Sequence, residues 1–137
     1  MDIDKIREFF DKDRFAKMTG AVIEEIADGE VVCALDAGEN HLNAGGTVQG
    51  GAVFTLADFA FAVACNLEDL RDDNDAVSVS QSGNMLFFRP AKAGSRLTAK
   101  ASCLQKGRRI SVYRIVVADE TGALVAEMTG NAYRIAR

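Results

Sequence analysis

The sequence predicts an α+β fold in which a curved antiparallel sheet wraps around one long central helix. Three observations lead to this prediction. Residues 51–67 are apolar on nearly every side of a helix, which is typical of a helix surrounded by protein. Segments with strand-like alternation fill the chain after residue 75, and a hairpin pattern precedes the apolar run.

The first part of the chain is predicted to form a helix, a hairpin and a loop. Apolar residues recur at helical spacing among charges over residues 1–18. Strands are expected over residues 21–26 and 30–35, joined by Asp28-Gly29, a dipeptide suited to the positive φ angles of a tight turn. Residues 37–48 are rich in Gly and Asn without a hydrophobic period, so we expect a loop with a function.

The second part is predicted to hold the central helix and four strands. The helix is placed at residues 49–67, and the acidic segment after it is expected to be a solvated connector. The strands are expected to form an antiparallel meander, and they cover residues 76–89, 96–105, 110–119 and 123–135. A single sheet of this kind leaves an edge exposed, so we expect at least a dimer that covers it.

Length and composition narrow the classes of function. The chain has 137 residues, the length of one domain, and no linker or repeat divides it. Its 16 Lys+Arg and 20 Asp+Glu give a net charge of −4, which argues against nucleic acid or an anionic membrane as a partner. Three scattered cysteines and one histidine argue against a disulfide framework and a metal site.

The location expected from the sequence is cytoplasmic. The N-terminus is charged from residue 2 and lacks the basic-then-apolar order of a signal peptide. The longest apolar stretch, residues 52–65, corresponds to about 21 Å of helix, which we expect to be too short to cross a bilayer.

Asp58 is the only charged residue inside the apolar run. A carboxylate away from water costs several kcal/mol unless it is paired or reaches a cavity. It lies about two turns inside the predicted helix, where the backbone N–H groups are already bonded, so helix capping does not explain it. Of its neighbours at three and four residues, only Thr55 could donate a hydrogen bond. A functional carboxylate is favoured over a buried structural acceptor, because perturbed carboxylates concentrate at active sites.

Gly50 and Gly51 stand at the predicted start of the helix. Inside a helix each glycine costs about 1 kcal/mol relative to alanine, so the pair indicates close approach of another group. Free N–H donors there could stabilise a carbonyl oxygen that becomes an oxyanion. A flexible entry into the helix explains the pair equally well. If Gly50 and Asp58 act on one substrate, their separation of about 12 Å along the helix requires one residue from each of two chains.

Two blocks of the sequence are distinctive. The first block begins at His41-Leu42-Asn43 and runs from Gly46 to Ala62 through Val48-Gln49-Gly50-Gly51 and Asp58. The second block joins Phe88-Arg89-Pro90-Ala91 to Lys106-Gly107-Arg108. Both blocks resemble the hotdog-fold acyl-CoA thioesterases of the phenylacetate-pathway (PaaI-like) type. The family commonly has His where this chain has Gln49. The resemblance covers most of the chain beyond the first helix.

The resemblance implies a set of roles. Asp58 would be the general base or the nucleophile, the Gly50 N–H would polarise the thioester carbonyl, and Asn43 would position water or substrate. Acyl-CoA would be the substrate, no cofactor would be needed, and dimers would usually pair into homotetramers. A basic turn suits the phosphates of CoA. The residues expected to contact substrate or CoA are Gln49, Gly51, Thr55, Arg89, Gly107, Arg108 and Arg109.

Hydrolysis of an acyl-CoA thioester is the leading hypothesis, with two alternatives. A hotdog hydratase or dehydratase would need a catalytic histidine, and His41 lies in the predicted loop rather than on the helix. A non-catalytic acyl-CoA-binding protein would keep the pocket without turnover. The sequence leaves open whether Asp58 activates water or forms an anhydride. It also leaves open an aryl or an aliphatic acyl group.

Overall fold

The computed structural model describes residues 2–137. The helices are α1 (Asp2–Phe10), α2 (Arg14–Thr19) and α3 (Gly50–Arg71), and the strands are β1 (Val22–Ala27), β2 (Glu30–Asp36), β3 (Ala76–Phe87), β4 (Arg96–Gln105), β5 (Ile110–Ala118) and β6 (Leu124–Ala136). A short 3-10 helix, Glu39–His41, lies in the loop that leads to α3.

One six-stranded antiparallel sheet curves around α3, which confirms the predicted fold class. Alternate residues of the central strands face the helix and are fully buried, as Leu97, Ala99 and Ala101 of β4 show. On the helix, Leu56, Phe61 and Val63 complete this core. Because the sheet supplies the buried surroundings of α3, any part of the helix that it leaves uncovered stands out as a candidate site.

The predicted meander of the last four strands is wrong in one respect. The strand order is β1-β2-β4-β5-β6-β3, so β3 pairs with β6 and lies at one edge, while β4 pairs with β2. Alternation along a strand shows which residues face the core, but it carries no information about the neighbouring strand. The result is a 12-residue edge strand with one hydrogen-bonded neighbour among the described residues.

The N-terminal segment forms two helices instead of the single one predicted. The break lies just before Asp13, whose carboxylate accepts the Ala16 N–H at 3.1 Å and starts α2 as an N-cap. Gly20 then ends α2 with a φ of 98°. The hairpin turn follows the prediction, because Asp28 and Gly29 both have positive φ, 53° and 78°.

The central helix is longer than predicted, and it ends at Arg71 rather than at residue 67. The acidic segment after Leu67 therefore begins as helix and not as a solvated connector. Asp69 is buried there, and Arg134 of β6 donates to its two carboxylate oxygens at 2.8 and 2.9 Å. This ion pair keeps the last turn of α3 on the sheet, and a pairing over such a long sequence distance was not visible in the local pattern.

The longer helix also changes the estimate of membrane-spanning length. At 22 residues, α3 is the one helix among residues 2–137 with the length and composition of a membrane span. The apolar stretch identified in the sequence ended at residue 65, so the predicted helix was shorter than a membrane span. However, 56% of the most apolar window of α3 is buried inside the fold, which is the pattern of a core helix.

Candidate active site

The start of α3 presents one free backbone donor. Gln49 is the N-cap, and its side-chain oxygen accepts the Gly51 N–H at 2.7 Å. A Cβ on Gly51 would lie 2.5 Å from that oxygen, so glycine at this position makes room for the cap. Gly50 is the first residue of α3, so its N–H has no acceptor within the helix. It has no other hydrogen-bond partner among residues 2–137. The capping side chain thus leaves Gly50 as the exposed donor.

Gly50 opens into a cleft of about 340 Å³. A Cβ built on Gly50 would lie 3.4 Å from Cζ of Phe87, so that ring packs against the helix start. The other lining residues are Asn43, Thr47, Val48, Val53, Phe88, Arg89, Pro90, Ala91 and Val125. The structure therefore brings together three of the residues predicted for the site, namely Gly50, Asn43 and Arg89.

Asn43 uses its side chain to shape the loop before the helix. Its Oδ1 accepts the N–H groups of Gly45 and Thr47 at 2.9 and 3.1 Å, and its Nδ2 donates to the Thr47 hydroxyl at 3.1 Å. These bonds form a turn stabilised by the Asn side chain. Asn43 is exposed and lines the cleft. Its side-chain hydrogen bonds hold the loop beside Gly50.

Asp58 lies on a stripe of α3 that the sheet does not cover. One residue per turn on this stripe is at least partly exposed, and the members are Gly51, Thr55, Asp58 and Ala62. The Asp58 carboxylate makes no hydrogen bond or ion pair with residues 2–137. Partial burial, assisted by the negative charge of Asp13, raises the pKa of Asp58 above its usual value. A raised pKa is a property expected of an acid–base group near neutral pH.

Within one chain, the sheet leaves the stripe of α3 that contains Asp58 partly open. Thr55 does not compensate Asp58, since its hydroxyl donates to the Gly51 carbonyl at 2.7 Å. A threonine inside a helix commonly bonds back to the preceding turn in this way.

A single chain does not bring Asp58 to the cleft that contains Gly50. The eight-residue separation corresponds to about 12 Å along α3, and Asp58 is not among the residues that line the cleft. Both groups lie at uncovered surfaces of the same helix. Within one chain, the free donor and the unpaired carboxylate therefore occupy two separate half-sites.

The predicted basic turn lies between β4 and β5. Arg108 and Arg109 line a cavity of about 400 Å³ with Tyr133 and Arg134. Neither Arg108 nor Arg109 has an acidic partner within 4.0 Å among the described residues. A Cβ on Gly107 would lie 2.0 Å from the Ile110 carbonyl oxygen, so this turn requires glycine. The turn thus offers two unpaired cations for an anion.

His41 is structural rather than the exposed loop residue that was expected. Its Nδ1 accepts the Gly38 N–H at 2.9 Å, and its Nε2 lies 2.6 Å from the Thr19 carbonyl oxygen. Both ring nitrogens are therefore engaged in joining the loop to the end of α2. Cys65 is a buried core residue, and burial raises the pKa of its thiol to about 12, which leaves no reactive thiolate.

Two residues near the site were missed in the sequence. Phe87 belongs to a run of large apolar residues at the end of β3. Alternation along the strand places its side chain on the same face of the sheet as that of Met85. Asp13 has the residue type of an N-cap, a signal that also marks the break between α1 and α2. The nearness of Asp13 to Asp58 depends on packing and has no local signal.

Comparisons with known proteins show the family of this chain. The profile of the thioesterase superfamily matches residues 45–126. Acyl-coenzyme A thioesterase PaaI of Escherichia coli is 32% identical over 126 residues, which cover 92% of this chain and 86% of that protein. The solved structure of the E. coli PaaI protein has a TM-score of 0.87 at 30% identity, covering 98% of this chain and 93% of that one. The PaaI protein of Thermus thermophilus has a TM-score of 0.80 at 37% identity, covering 89% and 99%.

The fold and the site together define a hotdog enzyme that hydrolyses thioesters. The chain belongs to the thioesterase superfamily, and the PaaI-like resemblance drawn from its sequence is confirmed.

Proposed function

We propose that this protein hydrolyses acyl-CoA thioesters to a carboxylic acid and CoA at a site shared by two copies of the chain. The observation that carries the proposal is the Asp58 carboxylate, which is partly buried and has no partner among residues 2–137. No hydrogen bond or ion pair with residues 2–137 gives this carboxylate a structural role. An unpaired one with a raised pKa is suited to act on a substrate.

The Gly50 N–H supplies the second part of the chemistry. The thioester carbonyl oxygen accepts this N–H, which stabilises the negative charge that develops when the carbonyl carbon is attacked. Asn43 holds the loop beside the donor and is placed to contact the substrate or the attacking water.

Asp58 of the partner subunit acts on the same carbonyl carbon in one of two ways. As a general base, it takes a proton from water while the new C–O bond forms, and the proton passes to the CoA thiolate as the C–S bond breaks. As a nucleophile, it forms an anhydride and releases the thiolate, and water then hydrolyses the anhydride. Both routes consume one water and yield the acid and CoA.

The separation of Gly50 and Asp58 supports a shared site. Two antiparallel copies of α3 would place Gly50 of one chain beside Asp58 of the other, whereas one helix keeps them about 12 Å apart. The edge strand β3 runs next to the uncovered face of α3, since a Cβ on Gly83 of β3 would touch Phe54 at 3.3 Å. A second copy that packs on this edge would cover both the edge strand β3 and the uncovered face of α3. A homodimer, or a homotetramer built from two of them, follows.

Arg108 and Arg109, with Gly107 shaping their turn, are proposed to bind the phosphates of CoA. Arg89 at the cleft rim adds a cation closer to the reaction centre. The relatives whose printed names state acyl-coenzyme A thioesterase activity support CoA as the carrier. A cytoplasmic location, where acyl-CoA is available, stays part of this proposal.

The hydratase alternative loses its candidate residue, because both nitrogens of His41 are engaged within the loop. The non-catalytic alternative differs from the proposal by the absence of turnover. A hydrolysis assay therefore separates these functions directly.

The test is Asp58→Asn, which keeps the shape of the side chain and removes the basic oxygen. We expect kcat to fall by about 10² to 10⁴-fold, the usual range for a positioned acid–base group, with folding and oligomeric state unchanged. Asp72→Asn is the matched control, since Asp72 is an exposed acid at the end of the same helix. Full activity of folded Asp58→Asn would refute the mechanism, and a wild type without turnover would favour the binding protein.

A further inference from the structure

Phe87 is unusual because a large aromatic ring stands half-exposed beside the free donor at Gly50. Its Cζ and Cε1 lie 3.4 and 3.5 Å from the position of a Gly50 Cβ, so the ring contacts the backbone of the helix start directly. Phe87 is 54% exposed and is one of the residues that line the cleft. Such a ring is available to touch whatever binds the Gly50 N–H.

The cleft is lined by both apolar and polar residues. Val53, Val125, Phe87 and Phe88 are among the apolar ones, and Asn43, Thr47 and Arg89 are polar. The two arms of an acyl-CoA ester differ in the same way, because the pantetheine arm carries amides and leads to phosphates, whereas the acyl arm begins with carbon. Matching apolar to apolar surface places the acyl arm against Phe87.

We infer that Phe87 determines acyl specificity by forming the wall against which the carbon next to the thioester carbonyl lies. This inference rests on the proposed function and names a property of its substrate. With the carbonyl oxygen about 2.9 Å from the Gly50 nitrogen, the first acyl carbon lies beside the ring. A second methyl group on that carbon would have to overlap the ring or displace it. The site thus selects thioesters whose first acyl carbon is unbranched.

The experiment compares two isomeric substrates, butyryl-CoA and isobutyryl-CoA, which differ only in branching at that carbon. Wild type is expected to favour the linear isomer. In Phe87→Ala the ratio of kcat/KM, linear over branched, should fall at least about tenfold, the selectivity that one methyl group commonly provides in a shaped pocket. Phe87→Leu, which keeps part of the wall, should give an intermediate ratio and guards against a folding defect in the alanine variant.

Leu86→Ala is the matched control. Leu86 is the preceding residue of β3, is 60% exposed and is not among the residues that line the cleft. Its ratio should stay at the wild-type value even if the absolute rates change. An unchanged ratio in both Phe87 variants would overturn the inference, and so would an equal fall in Leu86→Ala. A wild type that hydrolyses no acyl-CoA, with aryl esters such as phenylacetyl-CoA included in the assay, would instead refute the proposed function, and the two failures are therefore distinguishable.

Discussion

At the scale of single residues, Asp58 differs from the other perturbed aspartates because no hydrogen bond or ion pair with residues 2–137 stabilises its charge. Asp69 and Asp119 accept hydrogen bonds and have lowered pKa values, whereas the pKa of Asp58 is raised by burial and by Asp13. A group with a raised pKa in the folded state binds its proton more tightly there than in the unfolded chain. Its ionisation therefore lowers stability as pH rises above the ordinary aspartate range.

The raised pKa of Asp58 should also be visible in the pH profile of activity. The proposed mechanism needs the Asp58 carboxylate, so it predicts that the ascending limb of kcat/KM lies above the usual aspartate pKa of about 3.9. Asp13→Asn should shift this limb to lower pH, since the substitution removes the neighbouring charge but keeps a residue that can cap α2. Initial rates measured across pH on both proteins test this, and coincident limbs would contradict the role of Asp13.

Gly50 allows its N–H to be removed without disturbing the helix. Proline is favoured at the first position of a helix, and the preceding residue, Gln49, already has the extended ψ of 136° that proline requires. Gly50→Pro should therefore stay folded while kcat falls by about 10² to 10³-fold, the usual loss for one oxyanion donor. Gly50→Ala is the control, because it keeps the donor and its Cβ meets Phe87 at an ordinary 3.4 Å. Equal rates for the two variants would exclude a role for the N–H.

The sequence identified Asp58 and Gly50 because each breaks a local rule, a charge in an apolar run and a glycine at a helix start. It did not identify Phe87 or Asp13, whose residue types are ordinary for a strand end and a helix cap. Their relation to the site depends on which elements pack together. The chemistry of the site was thus visible locally, and its surroundings were not.

At the scale of elements, the ends of α3 are held by different means. Its start is capped by Gln49, and its last turn is tied to β6 by the pair of Asp69 and Arg134. Local patterns predicted the strands to within about two residues at each end, which is the usual limit of such boundaries. They missed the last turn of α3 and the pairing of β3 with β6, because both depend on contacts between residues far apart in the chain.

Breaking the Asp69 pair should destabilise the fold in a pH-dependent way. Arg134→Gln leaves a buried carboxylate with only Asn74 as a side-chain partner, and we expect the urea midpoint of unfolding at pH 7 to fall. Arg134 hydrogen bonds lower the pKa of Asp69 to about 2, so the contribution is complete above its ordinary value and is lost as pH falls toward 2.

Urea unfolding at pH 7 and pH 3 measures this effect. The difference between wild type and Arg134→Gln should be smaller at pH 3. Arg114→Gln is the control, because Arg114 pairs with Glu127 on the exposed face of the sheet and should contribute less than about 0.5 kcal/mol. A pH-independent loss in Arg134→Gln would show that packing of the arginine, rather than the ion pair, stabilises the end of α3.

At the scale of the whole molecule, an acidic protein that binds an anionic ligand needs local positive charge. Arg108 and Arg109 provide it at one turn, far from the cleft around Gly50. Their joint replacement by Ala should raise KM for acyl-CoA more than it lowers kcat, because contacts remote from the reacting bond are mostly made equally in the ground and transition states. An acyl-pantetheine substrate, which lacks the nucleotide, should show no such change. An unchanged KM for acyl-CoA at low salt would exclude the turn from the binding site.

The separation of the two half-sites along α3 leads to a prediction that only an assembly can fulfil. Asp58→Asn and Gly50→Pro should each be inactive alone, but a mixed dimer combines the intact Asp58 of one chain with the intact Gly50 of the other. Random reassociation of equal amounts makes half of the dimers mixed, each with one intact site of two, so about a quarter of wild-type activity should return. If both residues served a site within one chain, mixing would restore nothing. A light-scattering mass of one chain in an active sample would contradict the shared site in the same way, because a monomer cannot bring Gly50 and Asp58 to one carbon atom.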